Sequence, residues 1–444
     1  MTTLHDRLTD LAGEAPPGGA VPGLWDRARR AHRRRQIGTV AIVVVVLLGL
    51  GAIATLDWSR ARQAPAPADG APALPTRIWM PSPWLPGTDD VGPLGQLAAL
   101  QPATRRTWTG ERDGVVGISA TTGEYAFLDL PDAAVGGWYE IALAPDGRHV
   151  AYWYEGETRA SPNSDQGPIV GLAVYDTATG EVLRRPVRTD HGIEPTALTW
   201  ADGQRLVYGY FHWAGGDAQD EMMQMSGGDS SGLRVWTPKS GADERVPARF
   251  RGSDVNGSTG RGQLLLEGIP SGGDAFLDLD HPDRAITFRM PGNGYSHTAA
   301  VNETGTRVAW PRGNHNPGPI AFGTPMQGRP VDAREIRTRP AWVVRGWLDD
   351  SHVAAAQRID DEIGPSVLRS IDVRTGESSV ILRYPDGTYG TTTQLATDLL
   401  GSPAVSRDAP PRPLDPRWVA GAEAAVVILG LGALLLWRRR HDRP

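Results

Sequence analysis

Residues 141–154 read IALAPDGRHVAYWY, two short apolar runs on either side of Pro-Asp-Gly. Val, Ile, Tyr and Trp favour strands, and Asp-Gly supplies the positive φ that a tight hairpin needs. The stretch predicts a β-hairpin, and it recurs. ALTWADGQRLVYGY occupies 197–210; weaker copies are AAVNETGTRVAWPR at 299–312 and RGWLDDSHVAAAQR at 345–358, and DVNGSTGRGQLLLEG at 254–268 is a degraded one. The turns at 146, 202, 259, 304 and 349 are spaced by 56, 57, 45 and 45 residues. A period of 40–50 residues points to a propeller when each unit holds four strands.

A second hairpin follows each first one. The regular copies are VVGISATTGEYAFLDL at 115–130, IVGLAVYDTATGEVLRRPV at 169–187 and VLRSIDVRTGESSVILRY at 367–384; looser ones fall at 232–249, 274–290 and 319–339. These outer hairpins number six, which predicts an all-β six-bladed propeller, with seven blades left open. The N-terminal blade shows only three strands, at 94–101, 115–119 and 125–130. TTTQLATDLL at 391–400 has strand-like composition and no hairpin partner nearby. It is expected to supply that blade's innermost strand, so that both ends of the domain share one sheet and no edge stays open.

The unit Ala144-Pro145-Asp146-Gly147 through Ala151-Tyr152, with the Asp-x-x-Thr-Gly-Glu turns at 176–181 and 372–377, resembles the TolB-type and WD-repeat-like β-propellers. The resemblance covers nearly all of 78–402, although only the first copy is close. It implies the fold; propellers serve as binding modules, scaffolds and enzymes alike, so it does not imply a function.

Two further stretches bracket this domain. Residues 37–56, IGTVAIVVVVLLGLGAIATL, carry no charge, and residues 418–437, WVAGAEAAVVILGLGALLLW, carry only Glu423. Each run of 20 residues matches the hydrocarbon core of a bilayer, and Trp418 and Trp437 sit where indoles prefer the interface. Two transmembrane helices are therefore expected. Ala52-Ile53-Ala54 has the spacing of a signal-peptide cleavage site, but the leader and the apolar run are both longer than secretory signals use. Arg33, Arg34 and Arg35 precede the first span, and Arg438, Arg439 and Arg440 follow the second. These arginines set topology: both clusters belong in the cytoplasm and the middle domain outside. The expected layout is a cytoplasmic basic head (1–36), the first span (37–56), a Pro/Ala-rich linker (57–77), the propeller (78–402), a Pro-rich linker (403–417), the second span (418–437) and a basic tail (438–444). It resembles membrane-anchored propellers of high-GC bacteria. Arginine supplies nearly all the positive charge, with Lys239 the only lysine, alongside abundant alanine and proline.

The net charge of −6 argues against general nucleic-acid binding. With no cysteine, the chain has neither disulfides nor thiolate metal sites. Motifs with chemical potential lack their contexts. Gly228-Asp229-Ser230-Ser231-Gly232 fits G-x-S-x-G, but a nucleophile elbow needs a strand before it and a helix after it; here the flanks are polar. Met222, Met223 and Met225 with His212 could form a soft copper(I) site, and are better explained as an exposed loop. Asp278, Asp280, Asp283 and His281, and likewise Asp360, Asp361 and Glu362, offer calcium-type oxygens without a calcium-loop spacing. His315 in GNHNPG reads as a turn residue. Gly257–Gly262 lacks the strand–helix setting of a dinucleotide loop. Glu423 near the outer end of its span is a tolerated interfacial carboxylate or a polar contact to the other helix. Most of the 15 tryptophans, Trp153, Trp200, Trp236, Trp310, Trp342 and Trp347 among them, are expected to pack between blades.

No cofactor or catalytic residue is expected. The expected partners are the lipid bilayer and a protein, peptide or polymer outside the membrane, with no nucleic acid. The expected function is a non-enzymatic binding, scaffolding or sensing module. One alternative is a hydrolase or lyase acting at the propeller's axial mouth. Another is a regulator whose cytoplasmic head, residues 1–36, binds a transcription factor.

Overall fold

The structure, a computed structural model, describes residues 70–134, 141–159, 167–213, 232–291, 299–312, 317–359, 366–385, 392–413 and 415–441. The chain divides into two units, 64–413 and the two terminal stretches outside it.

The described strands within 64–413 form six sheets, all antiparallel but for one added strand, in sequence order around a common axis, the blades of a propeller. Blade two is the plainest: Ile141–Leu143, His149–Glu155, Ile169–Asp176 and Val182–Pro186 pair in that order from the axis outward. Its two turns are the two hairpins seen in the sequence. At the inner turn the Asp146 carboxylate accepts the Arg148 amide at 2.9 Å. Gly147 takes φ +71°, and a Cβ there would lie 2.0 Å from the Leu97 carbonyl oxygen, so only glycine fits. At the outer turn Asp176 accepts the amides of Ala178 and Thr179, and in blade six Asp372 accepts those of Arg374 and Thr375. The Asp-Gly turn of blade three departs from expectation. Gly203 is not among the positive-φ glycines; Asp202 instead holds the turn by accepting the amides of Gln204 and Arg205.

Blades three, four, five and six begin at the axis with Ile193–Trp200, Asp254–Ser258, Ala300–Val301 and Ala341–Trp347. Blade four gains a fifth, parallel strand, Arg329–Pro330, which reaches back from the chain of blade five. In blade one, Gln394–Leu395 from the C-terminal end lies inside Leu97–Thr107, followed by Gly110–Ser119 and Tyr125–Phe127. The expected closure is present, but the strand is shorter than the sequence implied. Only Ala99–Leu395 and Leu100–Gln394 pair, and Thr397–Leu399 turns into a 3-10 helix. The chain enters and leaves the ring side by side. Pro75 and Val405 form a parallel bridge, the Ala73 amide donates to the Ala120 carbonyl, and Arg407 packs on Gly123. Ala120 and Gly123 flank the outer turn of blade one, so both ends leave from the face that carries the hairpin turns.

The core is a ring of layers between neighbouring blades rather than one centre. Trp153, Trp200 and Trp310 are fully buried in it, as the sequence expectation for indoles had it. Each such side chain removed from water contributes about 1.5–3 kcal/mol, so stability is spread around the ring.

In the other unit, Pro416–His441 is a single α-helix, and its first 21 residues, Pro416–Leu436, are long and apolar enough to cross a membrane. It contains Glu423 and runs on through Arg438, Arg439 and Arg440. The segment 37–56, with Arg33, Arg34 and Arg35 before it, lies outside the described residues, so one membrane-competent helix is described and not two.

Candidate functional site

An innermost strand of a blade has one neighbour, so its other edge turns unpaired N–H and C=O groups toward the axis. Such groups cost free energy unless something bonds them. At each of the six junctions between neighbouring blades a side chain bonds backbone of the adjacent blade. Gln394 of blade one bonds the Leu143 amide (2.7 Å) and the Ile141 carbonyl (2.6 Å) of blade two. The Trp200 indole of blade three donates to the Ala142 carbonyl of blade two at 3.0 Å. Ser258 of blade four donates to the Trp200 carbonyl at 2.6 Å, and Asn256 of the same strand accepts the Ala299 amide of blade five at 3.0 Å. The Trp347 indole of blade six donates to the Ala300 carbonyl at 3.0 Å. Arg345 of blade six donates to the Thr393 carbonyl of blade one at 2.9 Å.

Inside this ring of clasps lies a cavity of about 570 Å³, with walls from the innermost strands of all six blades. That volume falls within the range of small-molecule sites. The wall mixes apolar and polar surface: Leu100, Leu143, Leu198, Val343 and Val344 supply the apolar part, and Thr199, Thr392 and Thr397 supply hydroxyls. Two charged residues line it: Arg345, half-buried, and Asp113, exposed on the hairpin between Leu97–Thr107 and Gly110–Ser119. At the hairpin-turn end the 3-10 turn Thr397–Leu399 lies across the axis. The Asp398 amide donates to the Pro145 carbonyl of blade two at 3.1 Å. Leu400 packs at Gly346 of blade six, and the Asp398 carboxylate sits at Gly260 of blade four. Burial, and then Asp146, push the Asp398 carboxyl above its ordinary range, against the pull of Arg261. The cavity is thus a cup whose floor is the C-terminal segment of the ring.

The candidates singled out in the sequence fall elsewhere. Asp278, Asp280, Asp283 and His281 form the outer turn of blade four; Asp278 accepts the amides of Asp280 and His281, and Asp280 pairs with Arg205 at 2.6 Å. Gly257–Gly262 is the inner hairpin of blade four. His212 ends the strand Leu206–His212 with its ring against Tyr210. Ser230, Met222, Met223, Met225, His315, Asp360, Asp361 and Glu362 lie outside the described residues. Among the described residues no group of three His, Asp or Glu gathers to hold a metal ion.

Sequence reasoning missed the clasps. One signal for them was present: Trp200 and Trp347 each stand two residues before the turn aspartate, Asp202 and Asp349. It also missed Glu267. This residue pairs directly with Asp254 and Asp274 on the neighbouring strands and accepts a hydrogen bond from the Asn256 side-chain Nδ2 at 3.1 Å. Burial, then Asp274 and Asp254, raise its carboxyl to about 7.

No family model and no curated protein matches the sequence. Solved structures do, at low identity. TolB from Acinetobacter baumannii matches with TM-score 0.36 and 10% identity over 65% of this chain and 67% of that one. The uncharacterized protein lmo1340 from Listeria monocytogenes EGD-e matches with TM-score 0.38 and 9% identity, over 71% and 88%. An oligogalacturonate lyase in complex with manganese matches with TM-score 0.35 and 12% identity, over 65% and 74%. The three include a lyase and an uncharacterized protein, and likeness at this level carries no argument about activity. The six-bladed fold rests on the sheet order itself.

Proposed function

We propose that this chain is a membrane-anchored binding or sensing module. It would be held by two spans, with both termini cytoplasmic and the propeller outside, and would take a small ligand or the end of a peptide or polymer into the axial cup. The cup carries this reading. Its volume suits a ligand, its wall offers both apolar and polar surface, and Gln394, Trp200, Ser258, Asn256 and Arg345 on that wall hold neighbouring blades together, which fixes its shape. Hydrolysis or lyase chemistry needs a positioned acid and base. The cup's charged side chains are one guanidinium and one exposed carboxylate, which suits orienting a ligand better than proton transfer.

The test is a thermal-shift screen of the full chain in detergent against amino acids, short peptides, sugars and cell-envelope fragments. It is repeated on Thr199→Trp, which fills the cup from blade three. A compound that stabilises the parent and not Thr199→Trp supports the reading. Compounds that stabilise both equally place binding elsewhere, and turnover of any of them would favour the enzyme alternative.

A further inference from the structure

We infer that the C-terminal segment Thr392–Val405 is a hinged floor, which opens and closes the axial cup separately from the rest of the ring. The inference rests on the cup being the binding site proposed above, and concerns its regulation.

In the other five blades the innermost strand continues through a tight turn into the next strand of its own sheet. In blade one it does not. Gln394–Leu395 arrives from the far end of the domain and pairs at two positions, as Ala300–Val301 does in blade five, but with no turn of its own sheet to tether it. Its docking is an intramolecular binding event that buries Leu395, Ala396, Leu399 and Leu400, and its polar ties lie largely outside its own sheet: Gln394 on blade two, Arg345 of blade six on the Thr393 carbonyl, the Asp398 amide on Pro145, and Val405 beside Pro75.

The seam is also poorly satisfied. The Thr393 hydroxyl and the Gln101 side-chain carbonyl, both in buried residues, have no hydrogen-bond partner among the described residues. The strand register continues to place these two residues opposite each other. Buried polar atoms without partners lower local stability. Segments with few pairings and unsatisfied groups are the ones that open below the global unfolding free energy.

The same segment contributes Thr392, Gln394, Leu395 and Thr397 to the cup. A ligand touching them binds the docked state and not the undocked one, so occupancy and docking favour each other by the same factor. Beyond Val405 the chain runs on to the helix Pro416–His441. Docking of the floor is therefore where occupancy of the cup can change the chain that leads to the membrane.

The chain has no cysteine, so a single introduced thiol reports cleanly. In the full chain in detergent, maleimide labelling of Thr393→Cys is compared with that of Ala309→Cys, a fully buried position in blade five. We expect Thr393→Cys to label at least tenfold faster under native conditions, an opening easier by about 1.4 kcal/mol. Adding Gln394→Ala should raise the Thr393→Cys rate a further tenfold and leave Ala309→Cys unchanged. Equal rates at the two thiols, or an equal rise at both, overturn the inference. Should Thr393→Cys fail to fold, amide exchange of the unsubstituted chain decides. Residues 394–400 exchanging no faster than 308–311 overturn it; faster exchange supports it. None of these measurements needs a ligand, so a cup that binds nothing and a floor that does not open are separate failures.

Discussion

Glu267 shows how much one residue's chemistry depends on strand register. It is an ordinary glutamate in QLLLEG, with Asp254 13 residues before it and Asp274 seven after it. Pairing puts all three carboxylates abreast on neighbouring strands, and burial with that repulsion lifts Glu267 to about 7. In the unfolded chain its value is 4.5. The folded state therefore holds the proton longer. The stability linked to this group is fully present below pH 4.5 and is lost as pH rises through about 7. The group is only half-buried, so solvent screening limits the effect to about 1–2 kcal/mol. Glu267→Gln is expected to be neutral at pH 5 and stabilising by that amount at pH 8, read from thermal unfolding of the full chain at both values. Parallel pH profiles for parent and variant would discard the assignment. Trp200 makes the complementary point. Its size announces burial, but nothing in ALTWADG says that its N–H reaches the Ala142 carbonyl of the preceding blade. Trp200→Phe should cost about 1–2 kcal/mol by removing that bond and some volume. A variant as heat-stable as the parent would show that the clasp contributes nothing.

The blade is the element the sequence specifies best. The hairpins were most legible where a turn aspartate, a glycine and alternating apolar residues act over fewer than 20 residues, as in 141–154 and 169–187. Closure was legible for a different reason: a three-stranded blade at one end and an unpartnered strand at the other leave one solution. The length of that strand was not legible. TTTQLATDLL looks continuous, but after Leu395 the chain must cross the axis, and contacts with Pro145, Gly260 and Gly346 in three other blades set its path. The site was the least legible part, because a cup walled by all six blades has no local sequence signature. Closure nonetheless makes a prediction at this scale. A chain ending at Tyr389 leaves the axial edge of Leu97–Thr107 bare and should aggregate or be proteolysed, since an open edge invites pairing. A chain ending at Pro413 should stay monomeric. Equal solubility and equal melting temperature for the two would mean that Gln394–Leu395 does not close the ring.

For the whole molecule the deciding quantity is the distribution of charge along the chain. Residues 1–36 hold seven arginines against four acids, and residues 438–444 hold four arginines against one aspartate. With a net charge of −6 overall, the stretch between them carries −12. Arginines close to an apolar span resist translocation, while acidic residues hardly affect orientation. The proposed topology therefore keeps both ends inside and sends the propeller across. The fold is compatible with this. Pro75 and Val405 lie side by side, so the two ends of the ring start from one place, as two neighbouring spans require. Epitope tags at Met1 and Pro444 test the arrangement in intact spheroplasts. Added protease should cut within 70–413 and leave both tags protected, and lysis should expose the tags. Moving the balance should move the topology: replacing Arg33, Arg34 and Arg35 with glutamine weakens the signal ahead of the first span, and a fraction of chains should then show the Met1 tag outside. Protection of the middle domain in the unaltered chain, with the tags digested, would invert the topology, and the ligand would then be sought in the cytoplasm.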